Sequence, residues 1–328
     1  AALPDAEVEA LAQVPLRQVV AAWAPDARVR AAFLRNVMVF GTYDPESASA
    51  AECIRLRRRK AGGPTPRPEC AGANPIGGVR ALVHALRAAV EEAGVELRTG
   101  CEVDQIAVEA GRGHGVLAHG PGPWQERIAA PVVVCNAPVW QLFRIVAPAH
   151  FPADFVADVR AWSVVGGVIA SAFAFDRLPR LRETGEPDRF LGWTRLLIGP
   201  ESGFGGGLLW SSLHSPRNAP GDACVLQAMR LSPEADLADA ARVESVHDSF
   251  RRVVEEVYAD ASERLLWSRS WICREGSEYM VSAARRPPVE APGVRGLYLV
   301  GETTDVGAVQ MDAAALSALR CAELVLGD

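Results

Sequence analysis

Apolar residues recur at helical spacing from the start of the chain, through Val8, Leu11, Val14, Leu16 and Val19-Val20, and again through Ala32, Phe33 and Val37. This pattern predicts two helices over residues 7–36, broken at Pro25 with Asp26 as a cap. Residues 61–75 are rich in glycine and proline and read as a loop. A helix is predicted from Val79 to Ala93. Val79, Leu82, Val83, Leu86 and Val90 lie on one face, and Gly94 is placed to end it. Short strands are predicted at 95–98, 102–108 and 115–118, the last two an antiparallel pair around Gly111-Arg112-Gly113. Residues 131–135, Pro-Val-Val-Val-Cys, are apolar without alternation, as in a strand covered on both faces of a parallel sheet.

The character changes after residue 150. Strands are predicted at 164–175, 207–213 and 223–231, and an amphipathic helix at 240–258 through Val243, Val246, Phe250, Val253, Val254 and Val257. Five of the eight tryptophans, Trp162, Trp193, Trp210, Trp267 and Trp271, fall here. They suit an apolar pocket, although tryptophans fill cores more often. Residues 276–328 return to an α/β pattern: a buried strand at 296–300, Gly301-Glu302, a loop to Gly307, and a helix from near Gln310 to Leu326.

Composition narrows the classes. Apolar residues are 49% and charged residues 23% of 328, a globular balance. The net charge of -6 gives no basic field for nucleic acid, so no nucleic-acid partner is expected. No apolar run approaches the ~18 residues of a membrane span. Ala1-Ala2-Leu3-Pro4-Asp5 has neither the basic start nor the apolar core of a signal peptide. Seven widely spaced cysteines without a CxxC read as reduced thiols, and the scattered histidines predict no metal site. Together these features point to a cytoplasmic protein. Lys60 is the only lysine, against 33 arginines.

The chemistry gathers in Leu297-Tyr298-Leu299-Val300-Gly301-Glu302-Thr303-Thr304, Gly307 and Gln310-Met311-Asp312-Ala313. A strand, a glycine that admits close backbone approach, an acid and a helix N-terminus make a site for an electron-rich or anionic ligand. On its own the segment reads as a plain capped βα unit. It resembles, however, the C-terminal flavin motif of the amine oxidase and phytoene desaturase superfamily, which are FAD-dependent oxidoreductases. The resemblance implies that Gly301 lets the backbone approach and that Glu302 holds the ribityl chain. Backbone at Gln310, Met311 and Asp312 then faces the flavin ring. Ala313 and Ala318 stand where family members often carry glycine.

Three further segments resemble the same family in the same order. Pro75-Ile76-Gly77-Gly78-Val79, its helix, and Glu102-Val103-Asp104-Gln105-Ile106 resemble the middle segment, which closes on Asn136-Ala137-Pro138. The resemblance puts Val103 backbone at the adenine, and Gly77 and Gly78 on the substrate side of the flavin. Ser212-Leu213-His214-Ser215-Pro216 resembles a substrate-domain loop of the desaturase-like branch, and Arg286-Pro287 precedes the last strand as in the family. The implied fold class is α/β: a partial Rossmann-like FAD-binding domain with an inserted α+β substrate domain. Residues 1–71 are then a helical part of the substrate domain, 72–147 the middle FAD segment, 148–275 the substrate domain and 276–328 the C-terminal FAD segment. No GxGxxG opening precedes these segments, and Gly203-Phe204-Gly205-Gly206-Gly207 has no helix after it. The expectation is a missing N-terminal dinucleotide-binding unit, removed by truncation or supplied by a second chain.

Many amine oxidases of the superfamily place a lysine near the flavin, and here none follows residue 60. The resemblance therefore implies dehydrogenation (desaturation) or isomerisation of a lipophilic, isoprenoid- or polyene-like substrate. A flavin amine or amino-acid oxidase stays open, as does a non-catalytic subunit whose partner holds FAD. No catalytic acid or base is assigned. His214 and Arg217 are polar groups of a matched loop, and their plainer reading is as surface loop residues. The basic run Arg55-Leu56-Arg57-Arg58-Arg59-Lys60 is either a solvated face or a peripheral contact with anionic lipid.

Overall fold

A computed structural model describes residues 3–12, 14–27, 29–30, 49–51, 53–54, 75–122, 124–162, 166–190, 193–196, 206–215, 217–274, 285–308 and 310–327. The basic run at 55–60, most of the 61–75 loop, Cys70 and the second predicted helix beyond residue 30 lie outside them. Near the start, α1 (Asp5–Glu9) and α2 (Leu16–Trp23) are separate helices. The break falls at Pro15, the N-cap of α2, and not only at Pro25 as expected; proline has no N–H to continue a helix and fits its start. Leu16 and Val20 pack with Ala50 and Cys53 in a small core of their own.

Helix α3 (Val79–Glu92) forms as predicted, but none of its residues is buried: Val79 and Leu86 are each 60% exposed. The run at 95–98 is not a strand. It is exposed chain without ladder partners, because alternation makes a strand only where a neighbour supplies the hydrogen bonds. A three-stranded antiparallel meander follows, β1 (Glu102–Glu109), β2 (Arg112–His119) and β3 (Gln125–Ala129). Glu109 pairs with Arg112, so the hairpin turns on Ala110-Gly111 alone. Their φ values of 48° and 69° are those that a two-residue turn with the right twist requires.

Strand β4 (Val133–Cys135) pairs in parallel with β10 (Leu297–Leu299), far along the chain. The meander is tied to the same place: Gly113 N–H donates to Arg295 O, and Arg295 N–H donates to Gly111 O, both at 2.9 Å. After β4 come α4 (Leu142–Ile145) and α5 (Ala153–Ala161). Leu142, Phe155, Val159 and Trp162 close one core with Val133, Cys135, Leu297 and Leu299. Trp162 Nε1 donates to Arg285 O at 3.0 Å, so this tryptophan is a core residue.

The second sheet is antiparallel, with order β6-β7-β8-β5-β9. Its strands are β5 (Gly166–Phe175), β6 (Trp193–Leu196), β7 (Gly206–Trp210), β8 (Cys224–Pro233) and β9 (Leu265–Cys273). Helices α6 (Glu234–Ala238), α7 (Ala240–Val257) and α8 (Ala261–Arg264) lie between β8 and β9 in the chain. Asp239 caps α7 by accepting from Ala241 N at 2.9 Å and Arg242 N at 3.2 Å. Val246, Phe250 and Val254 of α7 pack on Ile169, Phe173, Leu208, Trp210, Leu226 and Ala228, which make one face of the sheet. No helix of the described residues is long and apolar enough to cross a membrane.

Two polar clusters sit in this core. Asp188, 5% exposed, accepts from Trp210 Nε1 at 3.1 Å and Tyr258 Oη at 2.7 Å. Ser171 bonds both His247 Nδ1, at 3.0 Å, and Ser270 Oγ, at 2.8 Å. Burial holds the His247 pKa below its ordinary value, and Glu244 and Asp248 offset this only in part. Asp188→Ala strands two buried donors and is expected to cost about 2–4 kcal/mol, read as a fall in denaturation midpoint. Below pH of about 6.5 the unfolded chain protonates His247 while the folded chain resists. Stability should therefore drop as pH falls through that value. A melting series from pH 8 to 5 should show the drop, and His247→Gln should lose that component of it.

Candidate flavin site at the strand ends

Because β4 and β10 run in parallel, their carboxyl ends lie side by side, and Val300 N–H continues the ladder to Cys135 O at 3.0 Å. Carboxyl ends of parallel strands are where open α/β sheets bind ligands. This edge unites two of the matched segments, Asn136-Ala137-Pro138 and Gly301-Glu302. Gly301 has φ 118°, and a Cβ there would stand 3.4 Å from Asn136 Oδ1. An L side chain is strained in that conformation, so glycine is the residue that lets the backbone turn here beside Asn136.

The turn is fixed from below by α9 (Gln310–Leu326). Gly301 N–H donates to Ser317 Oγ at 2.8 Å, and Ser317 is fully buried. Ala313, Ser317 and Cys321, four residues apart, form the buried stripe of this helix. Ala313 stands where family members often carry glycine and is accommodated, while Ala318 is exposed. Met311 and Asp312 are exposed in the first turn of α9; the side chain of Gln310 is outside the described residues. Glu302 is half-buried, and Thr304 Oγ1 donates to Leu299 O at 3.4 Å.

Arg286-Pro287 joins the same loop. Asp305 N–H donates to Pro287 O at 2.8 Å, and the Arg286 guanidinium donates to Ala308 O at 2.5 Å. A cleft of about 240 Å³ beside them is lined by Asp154, Asp158, Arg285, Arg286 and Asp305.

Gly77 and Gly78 lie elsewhere. Both have positive φ, 86° and 80°, in the turn that leads into α3. Gly77 N–H donates to Ser215 Oγ at 3.2 Å, and Asn218 Oδ1 is 3.9 Å from a Cβ built on Gly78. The structure thus joins two matched segments, the glycine pair and the Ser212–Ser215 loop between β7 and β8. His214 Nε2 in that loop is buried without a hydrogen-bond partner among the described residues. Val103 belongs to neither group: it pairs with Ala118 in the meander and is half exposed.

The described cysteines carry no disulfide. Burial raises the Cys135 and Cys321 thiols, and burial with the Asp176 charge pushes Cys224 up to about 12. These are quiet thiols rather than nucleophiles. Among the described residues no group of side chains has the makings of a metal site.

A family model for flavin-containing amine oxidoreductases matches residues 6–326. The chain belongs to that family. Its cofactor is FAD. No curated protein matches it in sequence. An oxidoreductase from Methanosarcina mazei shares its fold, with a TM-score of 0.67 at 17% identity, over 98% of this chain and 73% of that one. A putrescine oxidase variant with redesigned cofactor binding aligns at TM-score 0.64 and 16% identity, over 98% of this chain and 69% of that one. Cyclohexylamine oxidase from Brevibacterium oxydans aligns at 0.60 and 16%, over 97% and 69%. Likeness at these identities shows the mixed α/β fold.

The strand-end segment fits a flavin nucleotide: a turn of bare backbone at Gly301, an adjacent acid, and the exposed first turn of a long helix. Ser317, which fixes this turn, carries no motif that a reading of the sequence would single out; a lone hydroxyl in an alanine-rich helix is its only signal. Ser317→Ala leaves Gly301 N–H buried without an acceptor, at about 1–3 kcal/mol. Reduced flavin retention after gel filtration is expected for this variant and for Gly301→Val, with Ser317→Thr close to the parent.

Proposed function

We propose that this family member dehydrogenates or isomerises a lipophilic substrate at its flavin. The observation that carries the reading is the face of the five-stranded sheet turned away from α6 and α7. Side chains alternate along strands, so this face holds the residues between those of the core. They are Val168, Ala170, Ala172 and Ala174 of β5, Val225, Gln227 and Met229 of β8, Leu209 of β7, and Trp267, Arg269 and Trp271 of β9. No carboxylate stands among them. A cationic amine placed here would lose water without gaining a counter-charge, which is costly.

In this reading residues 72–147 and 276–328 are the flavin side, a partial Rossmann-like unit, and 148–275 an inserted substrate domain. Gly301, Glu302 and backbone at Gln310, Met311 and Asp312 hold the isoalloxazine and ribityl portions, and Val103 backbone meets the adenine. Bound flavin supplies a hydride acceptor, which no side chain offers. The chain's own part is to exclude water and to hold a C–H bond in place. The Gly77-Gly78 turn, seated on the loop between β7 and β8, gives a close backbone approach on the substrate side. His214, with its orphan Nε2, is the polar group of that loop available to a bound molecule.

The second reading is an amine oxidase, favoured by the oxidases of putrescine and cyclohexylamine that share the fold. Anaerobic mixing of the flavin-loaded protein separates the two. Bleaching of the oxidised-flavin absorption by a polyene, with none by putrescine or cyclohexylamine, is the expected result. Peroxide release with either amine in air, and no reaction with polyenes, would overturn the proposal. A purified protein that never holds flavin would favour the non-catalytic subunit.

A further inference from the structure

The same sheet face carries a charge that the proposed reaction does not use. Rows of paired residues cross it: Leu209, Gln227, Ala172 and Arg269 form one, and Met229, Ala170 and Trp271 the next. Val225, Ala174 and Trp267 form the row on the other side. Ala170, Ala172 and Ala174 are buried, 4–7% exposed, between half-buried β8 residues and the exposed strand β9. Small side chains thus run along the middle of this face. Its outer row is Trp267, Arg269 and Trp271, with Trp267 50% and Trp271 40% exposed. Same-face neighbours on a strand stand about 7 Å apart, so the row is about 13 Å long with the guanidinium at its middle.

Arg269 has no ion pair or hydrogen bond among the described residues, unlike Arg264 just before the same strand, which is held by Asp260 and Asp176. A cation between two exposed tryptophans, on an apolar face without carboxylates, is complementary to one kind of small molecule. We infer that Arg269 selects an amphiphilic anion, pairing its guanidinium with a carboxylate, sulfonate or phosphate head while Trp267, Trp271 and the alanines take the apolar body. Guanidinium binds such heads through two parallel N–H donors. The inference rests on the reading of this face as the substrate side, and it narrows the substrate from lipophile to lipophilic anion.

Two probes with the same rings test it on the full chain: anilinonaphthalene sulfonate, and neutral phenylnaphthylamine. Fluorescence titration should give tighter binding of the sulfonate. Arg269→Met should weaken the sulfonate about tenfold and leave the neutral probe unchanged, with Arg269→Lys recovering part of the loss. Trp271→Ala should weaken both. Equal effects of Arg269→Met on the two probes, or no effect on the sulfonate, would overturn the inference, as would unchanged binding in Trp271→Ala. If amines prove to be the oxidised substrates while the charge-dependent probe binding holds, the anion site stands and the reaction assignment falls. If polyene oxidation holds while Arg269→Met changes nothing, the reaction stands and Arg269 has no part in it.

Discussion

Six residues, Val133–Cys135 and Leu297–Leu299, hold the architecture together. Their parallel pairing joins two stretches of chain that enclose the whole five-stranded sheet in sequence. It also sets Asn136 beside Gly301, so neither segment forms the candidate site alone. Parallel strands cannot be joined by a tight turn. The long excursion between them is the stretch of chain in which the second sheet and its helices are built. The hydrogen bonds of Gly113 and Arg295 fasten the meander to the same place, and those of Asp305 and Arg286 fasten the loop that follows β10.

The two sheets use apolar residues differently. The β4–β10 pair is short, and its burial comes from Phe155, Val159 and Trp162 of the α5 segment. The five-stranded sheet is shielded on one side by α7 and keeps small side chains along the middle of the other. Alanines at 170, 172 and 174 give up packing volume that valine or isoleucine would supply in a sandwich core. That choice makes sense where the missing volume belongs to a bound molecule.

Much of this was legible in the sequence. The helix at 79–92, the strands near 102–109, 166–175 and 224–233, the helix at 240–257 and the βα segment from 297 all carry periodicity strong enough to read. The failures share a cause. Strand β9 reads Leu-Leu-Trp-Ser-Arg-Ser-Trp-Ile-Cys, an edge strand exposed on both faces, so burial imposes no clear alternation on it. Strand β3 is largely polar for the same reason. The run at 95–98 alternates well yet pairs with nothing among the described residues, since pairing depends on a neighbour that local sequence cannot supply. In the site, the motif residues were visible, but Ser317 and Arg269 were not. The first matters through a contact sixteen residues away, the second through a register that only the folded sheet defines.

Strand β9 has another consequence. It ends the sheet among the described residues, so its outer backbone groups are a row of donors and acceptors of the kind that invites a foreign strand. Natural sheets blunt such rims with charge. Here Arg269 stands in the middle of the strand, with Arg264 and Arg274 flanking it just outside either end. Without them, a nine-residue ribbon rich in tryptophan, leucine and isoleucine would be a ready template for self-association. Arginine at 269 sets a charge in the middle of that ribbon, where a foreign strand would have to desolvate it.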